Sequence, residues 1–190
     1  MVEIGELIDV FVIDPPWAKK KGGKRKIRPN QGRNLAYKTM STAEIFALLD
    51  SEIFWQAAKT HGVFLWTIDE FLIAAEQEME KRGYKRHARF IWDKCNGVAP
   101  CFTVRYSHEY LIWYYKPKLT PVADEQRGKF TTVIREPARQ HSRKPDAAYK
   151  MIEAMFPNAT KLDVFSREQR NGWEQFGDQP NHFKEEINGC

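Results

Sequence analysis

The sequence predicts an α/β fold with a mainly parallel sheet that carries helices on both faces. Runs typical of strands alternate with runs typical of helices along the 190 residues. The first such run, residues 8–13 (IDVFVI), is almost continuously β-branched or aromatic, as in strands buried on both faces. Since neither a repeat nor a linker interrupts this alternation, we expect one domain over residues 1–180 and a loose polar tail at 181–190.

Five further runs have the length and composition of buried strands. Each is short, rich in β-branched and aromatic residues, and bounded by polar or turn-forming residues. They cover residues 63–68, 88–94, 109–115, 130–134 and 160–165. Together with residues 8–13 they predict the strands of a single sheet.

Three segments predict helices. Ser41 and Glu44 have the spacing of a capping box, which starts a helix by satisfying free backbone N–H groups. Residues 69–82 have an apolar stripe at helical spacing, and Gly83 is expected to end that helix. Pro145 suits the first turn of a third helix, where a missing N–H costs nothing.

Positive charge is concentrated in one segment. Residues 18–33 contain eight Lys or Arg and no acid, and subtracting these eight charges from the net +5 leaves −3 for the rest. The segment lies in a long polar stretch, residues 18–40, which we interpret as a basic loop. It either binds nucleic-acid phosphates or is only a solvated loop. The candidate phosphate contacts are Lys19, Lys20, Lys21, Lys24, Arg25 and Lys26.

Composition excludes several classes of protein. The N-terminus lacks the basic start of a signal peptide, and no apolar run approaches the roughly 20 residues that span a bilayer. Cys95, Cys101 and Cys190 have neither an even count nor the spacing of metal ligands. The sequence therefore predicts a cytoplasmic protein with reduced thiols and no metal site, and no membrane association.

The turn Asp14-Pro15-Pro16-Trp17 follows the first predicted strand, where open α/β sheets bind ligands. The Asp14 carboxylate and the Pro15 carbonyl could accept hydrogen bonds from an amine, and the two prolines would hold them rigidly. Trp17 could stack on a flat base. The same residues would also suit a strand end with a Pro-Pro turn and a core tryptophan.

A second polar loop, FSREQRNGW (165–173), follows the last predicted strand, and Gly177, Asp178 and Gln179 come shortly after. Carboxylates and amides in such a loop could bind the hydroxyl groups of a nucleotide-like cofactor. A plain surface loop is equally consistent with these residues.

Seven blocks in order resemble the MT-A70 family of adenine N6 methyltransferases. These blocks are FVIDPPW (11–17), YKTMSTAEI (37–45), GVFLW (62–66), RGYKRHARFIWDK (82–94), SHEYLIW (107–113), HSRKPD (141–146) and LDVFSREQRNGWEQFGDQ (162–179). The resemblance implies a Rossmann-like methyltransferase fold in permuted order, with the catalytic strand first and the cofactor strand last. It also implies S-adenosyl-L-methionine as the cofactor.

The resemblance also implies roles for individual residues. Asp14, Pro15, Pro16 and Trp17 would form the catalytic motif. Cofactor-binding residues would be Asp14, Lys144, Asp163, Val164, Phe165, Ser166, Arg167, Asn171, Asp178 and Gln179. Besides the basic segment, Tyr37 and Glu109 would contact the substrate. Arg143, which the resemblance does not assign, either contacts substrate phosphates or only solvates a loop.

Methylation of the adenine N6 amine in DNA is the function these observations favour. Compact bacterial and phage relatives are associated mainly with DNA modification, and little of the chain is left over for a separate RNA-binding module. Two alternatives stay open, namely the same chemistry on RNA adenosine and a non-catalytic, nucleic-acid-binding partner subunit. A homodimer or a heterodimer also stays open.

Overall fold

In the computed structural model, residues 7–18, 38–98, 104–140, 142–179 and 181–183 are described. They form a seven-stranded sheet and three α-helices in an α/β arrangement. The strands are β1 (Ile8–Ile13), β2 (Ala57–Thr67), β3 (Lys85–Asp93), β4 (His108–Lys116), β5 (Val133–Arg135), β6 (Lys161–Val164) and β7 (Glu174–Phe176). The helices are α1 (Thr42–Leu48), α2 (Leu72–Lys81) and α3 (Asp146–Met155).

The strand order in the sheet is β5-β3-β4-β2-β1-β6-β7. Strand β1 pairs in parallel with both β2 and β6, whereas β4 runs antiparallel to its neighbours β2 and β3. The sheet is therefore mostly parallel, as predicted, with one reversed strand. Because the first strand lies beside β6, the loops that follow them are neighbours despite about 150 intervening residues.

Helices cover the two faces of the sheet, as predicted. One core contains Ile45 and Phe46 of the first helix and Ala75 and Met79 of the second, packed with residues such as Phe11. The other core, on the opposite face, packs the third helix against the alternate residues of the same strands. It includes Val10, Val12, Phe64, Trp66, Ala148 and Ile152. Alternate side chains of β1 and β2 thus pack into the two cores on opposite faces of the sheet, which explains the continuous apolar runs in the sequence.

The helix-end signals are confirmed with small shifts. The Ser41 hydroxyl accepts from the Glu44 N–H at 3.3 Å, and a Glu44 carboxylate oxygen accepts from the Ser41 N–H at 2.8 Å. After α2, Gly83 adopts φ +78° and its N–H donates to the Glu80 carbonyl at 2.8 Å. Pro145 lies one residue before the first turn of α3 rather than within it.

Every predicted strand except β1 changes in length. Strand β2 begins at Ala57, six residues before the predicted start, and β5 covers only Val133–Arg135. Strand β7 was not predicted, because three residues are too few to show a period. None of the helices within the described ranges is long and apolar enough to cross a membrane.

Candidate active site

A cleft of about 960 Å³ opens at the edge of the sheet where β1, β2, β3 and β6 end. Because these strands are parallel, the segments that follow them meet at this edge. Twelve of the predicted site residues line the cleft. They are Asp14, Pro15, Pro16, Trp17, Glu109, Arg143, Lys144, Phe165, Ser166, Arg167, Asp178 and Gln179.

The turn after β1 is fixed by backbone hydrogen bonds on both sides. The Asp14 N–H donates to the Val164 carbonyl at 3.1 Å, and the Trp17 N–H donates to the Pro15 carbonyl at 2.8 Å. Met40 N–H donates to the Pro16 carbonyl at 2.8 Å. The prolines fix φ and these bonds fix the rest, so the Asp14 carboxylate is presented from a rigid turn.

Trp17 is more enclosed than a free stacking platform. The residue is only 9% exposed, and its ring stacks on Phe71 with centroids 5.1 Å apart. Its indole N–H donates to the Trp66 carbonyl at 3.1 Å. Trp17 thus anchors the turn to β2 while still lining the cleft, and its stacking on a base stays a prediction.

Four charged side chains of alternating sign form a line in the cleft, which we call the lysine network. Lys144 Nζ lies 2.9 Å from Asp14 Oδ1 and 3.0 Å from Glu109 Oε2. Lys94 Nζ lies 2.6 Å from the other carboxylate oxygen of Glu109. The Lys144 side chain is only 11% exposed, so its charge depends on these carboxylates.

Burial and the neighbouring charges oppose one another in this network. Burial raises the pKa of Asp14, and Lys144 only partly offsets that effect. Burial also acts to raise the pKa of Glu109, but Lys144 and Lys94 outweigh it and lower that pKa to about 2. Burial disfavours the charge on Lys144, yet Asp14 and Glu109 together raise its pKa above the usual value. Glu109 is therefore firmly ionised, whereas Asp14 is the carboxylate whose charge depends most on its surroundings.

The loop after β6 is bent sharply toward the cleft. Phe165 adopts φ +62°, a left-handed conformation that is uncommon for a bulky residue. A Cβ at Gly177 would lie 2.9 Å from the backbone N and O of Ser166, so only glycine fits there. Strained backbone of this kind clusters at ligand sites. The Arg167 guanidinium also donates to the Gln179 side chain at 3.2 Å, which joins the two predicted cofactor segments.

Three predicted cofactor residues do not line the main cleft. Asp163 and Val164 are 2% and 0% exposed, and Asn171 is exposed outside the cleft lining. The buried Tyr149 hydroxyl donates to Asp163 Oδ2 at 3.1 Å. Burial raises the pKa of Asp163 to about 7. A role for these three residues in cofactor binding stays a prediction.

Predicted substrate contacts fall into two groups. Arg143 lines the cleft, but its guanidinium binds both carboxylate oxygens of Glu168. Tyr37 and the six basic residues of the segment 19–26 lie outside the described residues. The flanking residues Ala18 and Met40 are joined by a hydrogen bond of 3.0 Å, and Lys38 and Met40 line the cleft.

Lys94 is a charged residue of the cleft that sequence reasoning did not single out. It was assigned only to the end of a predicted strand within a family block. The alternation Trp92, Asp93, Lys94 at a strand end carries no signal that distinguishes it from a surface lysine. Only the pairing of β3 with β4, which sets Trp92 opposite Glu109, places Lys94 beside the network.

These features define an α/β protein of the Rossmann-like methyltransferase fold, with a charged cleft at the carboxyl ends of β1 and β6. A profile of the MT-A70 family matches residues 8–179, and the chain belongs to that family.

Similar proteins come from plants, an insect and a bacterium. An MT-A70-like N(6)-adenosine-methyltransferase of Arabidopsis thaliana is 29% identical over 178 residues, or 90% of this chain and 24% of its own length. The Drosophila melanogaster MT-A70-like protein is 28% identical over 90% of this chain and 26% of its own length. The type II methyltransferase M.MunI of Mycoplasma is 26% identical over 88% of this chain and 76% of its own length. The chain thus spans about a quarter of the length of the plant and insect relatives.

Proposed function

We propose that the chain transfers a methyl group from S-adenosyl-L-methionine to the exocyclic N6 amine of adenine in a nucleic acid, with DNA favoured. The observation that carries the proposal is the Asp14 carboxylate, which is held by a rigid Pro-Pro turn and paired with Lys144 at 2.9 Å inside the cleft. Membership of the MT-A70 family supports the same chemistry.

The adenine amine is a poor nucleophile because its lone pair is delocalised into the ring. Acceptors that hold its N–H bonds in a fixed direction turn the lone pair toward the methyl donor, so orientation supplies much of the catalysis. Lys144 Nζ lies 2.9 Å from Oδ1 of Asp14, and a carboxylate has acceptor capacity beyond one bond. The Pro15 carbonyl already accepts from the Trp17 N–H at 2.8 Å and has a second lone pair.

The cleft residues have the chemistry that the cofactor requires. Its amino-acid end carries one positive and one negative group, and the adjacent Lys144 and Asp14 present both complementary charges. Asp178 and Gln179 would hold the ribose hydroxyls, and Phe165 offers an apolar surface for the adenine. When bound, S-adenosyl-L-methionine supplies an electrophilic methyl group for direct transfer.

The choice between DNA and RNA as the substrate rests on the similar proteins rather than on the cleft. The chain covers most of the Mycoplasma type II methyltransferase, which supports the compact DNA-modifying class. The names of the plant relatives specify adenosine, which supports RNA as the second candidate. In duplex DNA the target base would have to be flipped into the cleft.

The alternative to an enzyme is a non-catalytic partner subunit with the same fold. An intact acceptor turn and a buried Lys144 beside it favour an enzyme, since a scaffold needs neither. Calorimetric titration with S-adenosyl-L-methionine separates the two, because a scaffold without a cofactor site would show no binding.

The deciding experiment is a methyl-transfer assay with labelled cofactor on matched duplex DNA, single-stranded DNA and RNA of varied sequence. Asp14→Ala is the inactive control. We expect N6-methyladenine in at least one DNA form. Activity on RNA alone would overturn the DNA preference, and a folded wild-type chain inactive on all three would overturn the enzymatic function.

A further inference from the structure

We propose that Lys94 is a positioning residue for the transfer, which neutralises Glu109 so that Lys144 stays available to hold Asp14 ionised. This inference rests on the proposed function, in which Asp14 accepts a hydrogen bond from the amine. Lys94 would act entirely through Glu109 and Lys144, without contacting the reacting atoms.

Lys94 is held in place by its backbone. It directly follows β3, and its N–H donates to the Ser107 carbonyl at 2.9 Å. Its own carbonyl accepts from the Ala138 N–H at 3.1 Å. The side chain therefore starts from a fixed point beside β4, and its ammonium reaches Glu109 Oε1 at 2.6 Å.

The surroundings of the Lys94 side chain differ from those of a surface lysine. The side chain is 20% exposed, and its ammonium lies 5.2 Å from the centroid of the Trp92 ring. The Glu109 side chain that it contacts is 15% exposed. Partly desolvated charges interact more strongly than exposed pairs, so this contact has a larger effect than an ordinary surface salt bridge.

The charge count explains why the network needs a second lysine. Asp14 and Glu109 carry two negative charges, and Lys144 and Lys94 carry two positive ones. Without Lys94, a single buried ammonium would have to compensate two carboxylates, and Glu109 would draw it away from Asp14. Lys94 thus releases Lys144 to serve the acceptor.

Asp14 is the member that would respond. Burial raises its pKa, Lys144 opposes that effect, and Glu109 adds to it. The other charged or titratable groups that influence Asp14 are Arg167, Asp163 and Tyr149. Removing the charge of Lys94 strengthens the unfavourable influence of Glu109, and Asp14 then becomes protonated at a higher pH.

The test compares Lys94→Met, which keeps the stem but removes the charge, with Lys94→Arg, which restores a cation. Lys85→Met makes the same substitution at the other end of β3, about 30 Å away along the strand, and is the matched control. For each folded variant, kcat and KM are measured from pH 5 to 9 on an oligonucleotide substrate of the wild-type enzyme.

We expect Lys94→Met to move the acid limb of the kcat profile to higher pH, so that its deficit grows as the pH falls. At the low end of the range the deficit should reach about threefold or more. All kcat values are taken at saturating cofactor, because Lys144 and Asp14 also face the amino-acid end of the cofactor in the proposed function. Lys94→Arg should restore the profile, and Lys85→Met should follow the wild type throughout.

A substrate-free measurement separates this inference from the proposed function. Carboxyl-carbon NMR of aspartate-labelled protein, with the Asp14 signal assigned from Asp14→Asn, gives the protonation midpoint of Asp14 directly. We expect a higher midpoint in Lys94→Met than in the wild type or Lys94→Arg. Equal midpoints in these proteins would overturn the positioning role of Lys94 and would leave the proposed function untouched. A variant that raises only KM for the nucleic acid and flattens its salt dependence would likewise overturn it and indicate a phosphate contact.

Discussion

Two charged clusters meet at the cleft, and they are built differently. The lysine network joins Asp14, Lys144, Glu109 and Lys94. Beside it lies a second group, which we call the arginine cluster, formed by Arg139, Arg143, Arg170, Asp146 and Glu168. The clusters share neither a residue nor a type of cation.

Forked contacts dominate the arginine cluster. Arg139 binds both carboxylate oxygens of Asp146 at 2.7 and 2.8 Å, and Arg170 bridges Asp146 and Glu168 at 3.1 and 2.8 Å. The Arg170 guanidinium also lies 3.7 Å over the Tyr149 ring. These planar contacts tie the segment before α3 to the loop after β6, and they suit a fixed scaffold.

In the lysine network, each ion pair is a contact between an ammonium nitrogen and one carboxylate oxygen. Each ammonium can rotate and exchange partners, so Lys144 could turn from a protein carboxylate toward a ligand without moving the backbone. The comparison teaches that the rigid part of the site and its adjustable part use different cations. Substitutions in the first should reduce stability, and substitutions in the second should reduce binding or catalysis.

The largest effect is expected from Asp14→Ala. It removes the only side-chain acceptor of the turn, and we expect kcat to fall by about 10³-fold or more. Thermal unfolding should change less than in Arg170→Met, since Lys144 keeps Glu109 as a partner and the turn is held by backbone bonds. A steady-state assay beside a thermal melt checks both, and wild-type turnover by a folded Asp14→Ala protein would refute the acceptor role.

Arg170→Met should reduce stability more than catalysis, the reverse of Asp14→Ala. The Arg170 side chain is only 14% exposed, and its loss leaves two partly buried carboxylates with fewer partners. We expect the free energy of unfolding to fall by about 3 kcal/mol. Denaturant titration measures this change.

Arg127→Met is the matched control for that experiment. Arg127 and Asp124 form an exposed pair at 3.0 Å, with 67% and 88% of their side chains accessible. Its loss should cost less than about 0.5 kcal/mol. If both variants lost the same free energy of unfolding, the arginine cluster would stabilise the fold no more than an exposed ion pair does.

Lys144→Ala should weaken cofactor binding more than nucleic-acid binding. A lost charge-assisted hydrogen bond corresponds to about 1.5–3 kcal/mol, or roughly 10- to 150-fold in affinity. Calorimetry with S-adenosyl-L-methionine and a separate nucleic-acid titration measure the two affinities. Unchanged cofactor affinity would show that Lys144 does not bind the cofactor and only pairs with Asp14 and Glu109.

Sequence reasoning succeeded where local chemistry sets local structure. The Ser41 capping box, the glycine after α2 and the turn after β1 each follow from a few adjacent residues. The placement of both cleft loops at the carboxyl ends of strands was also predicted, whereas their neighbouring positions depend on the pairing of β1 with β6.

Sequence reasoning failed where the outcome depends on pairing between distant segments. An apolar run has no direction, so nothing in residues 109–115 indicates that β4 is reversed. Lys94 and Glu109 are 15 residues apart and meet only because β3 and β4 pair. The enclosure of Trp17 by Phe71 is likewise a tertiary contact that the DPPW pattern does not contain.

The smallest predicted effect concerns Asp163, which lies beneath Tyr149 at the edge of the arginine cluster. Burial raises its pKa to about 7, against about 3.9 for an unfolded aspartate. Between these values the folded state binds more protons than the unfolded state, so this group makes the protein less stable as the pH rises from about 4 to 7.

Asp163→Asn keeps an acceptor for the Tyr149 hydroxyl but cannot ionise. We expect wild-type stability to fall relative to this variant by about 1–2 kcal/mol between pH 5 and 7, and to stay at a constant offset above that range. Denaturant unfolding of both proteins at several pH values measures the difference, in which the contributions of all other carboxylates cancel. Parallel stability curves would mean that Asp163 is ionised throughout and that Arg170, across the Tyr149 ring, compensates its charge. In that case the arginine cluster would support the loop after β6 electrostatically as well as mechanically.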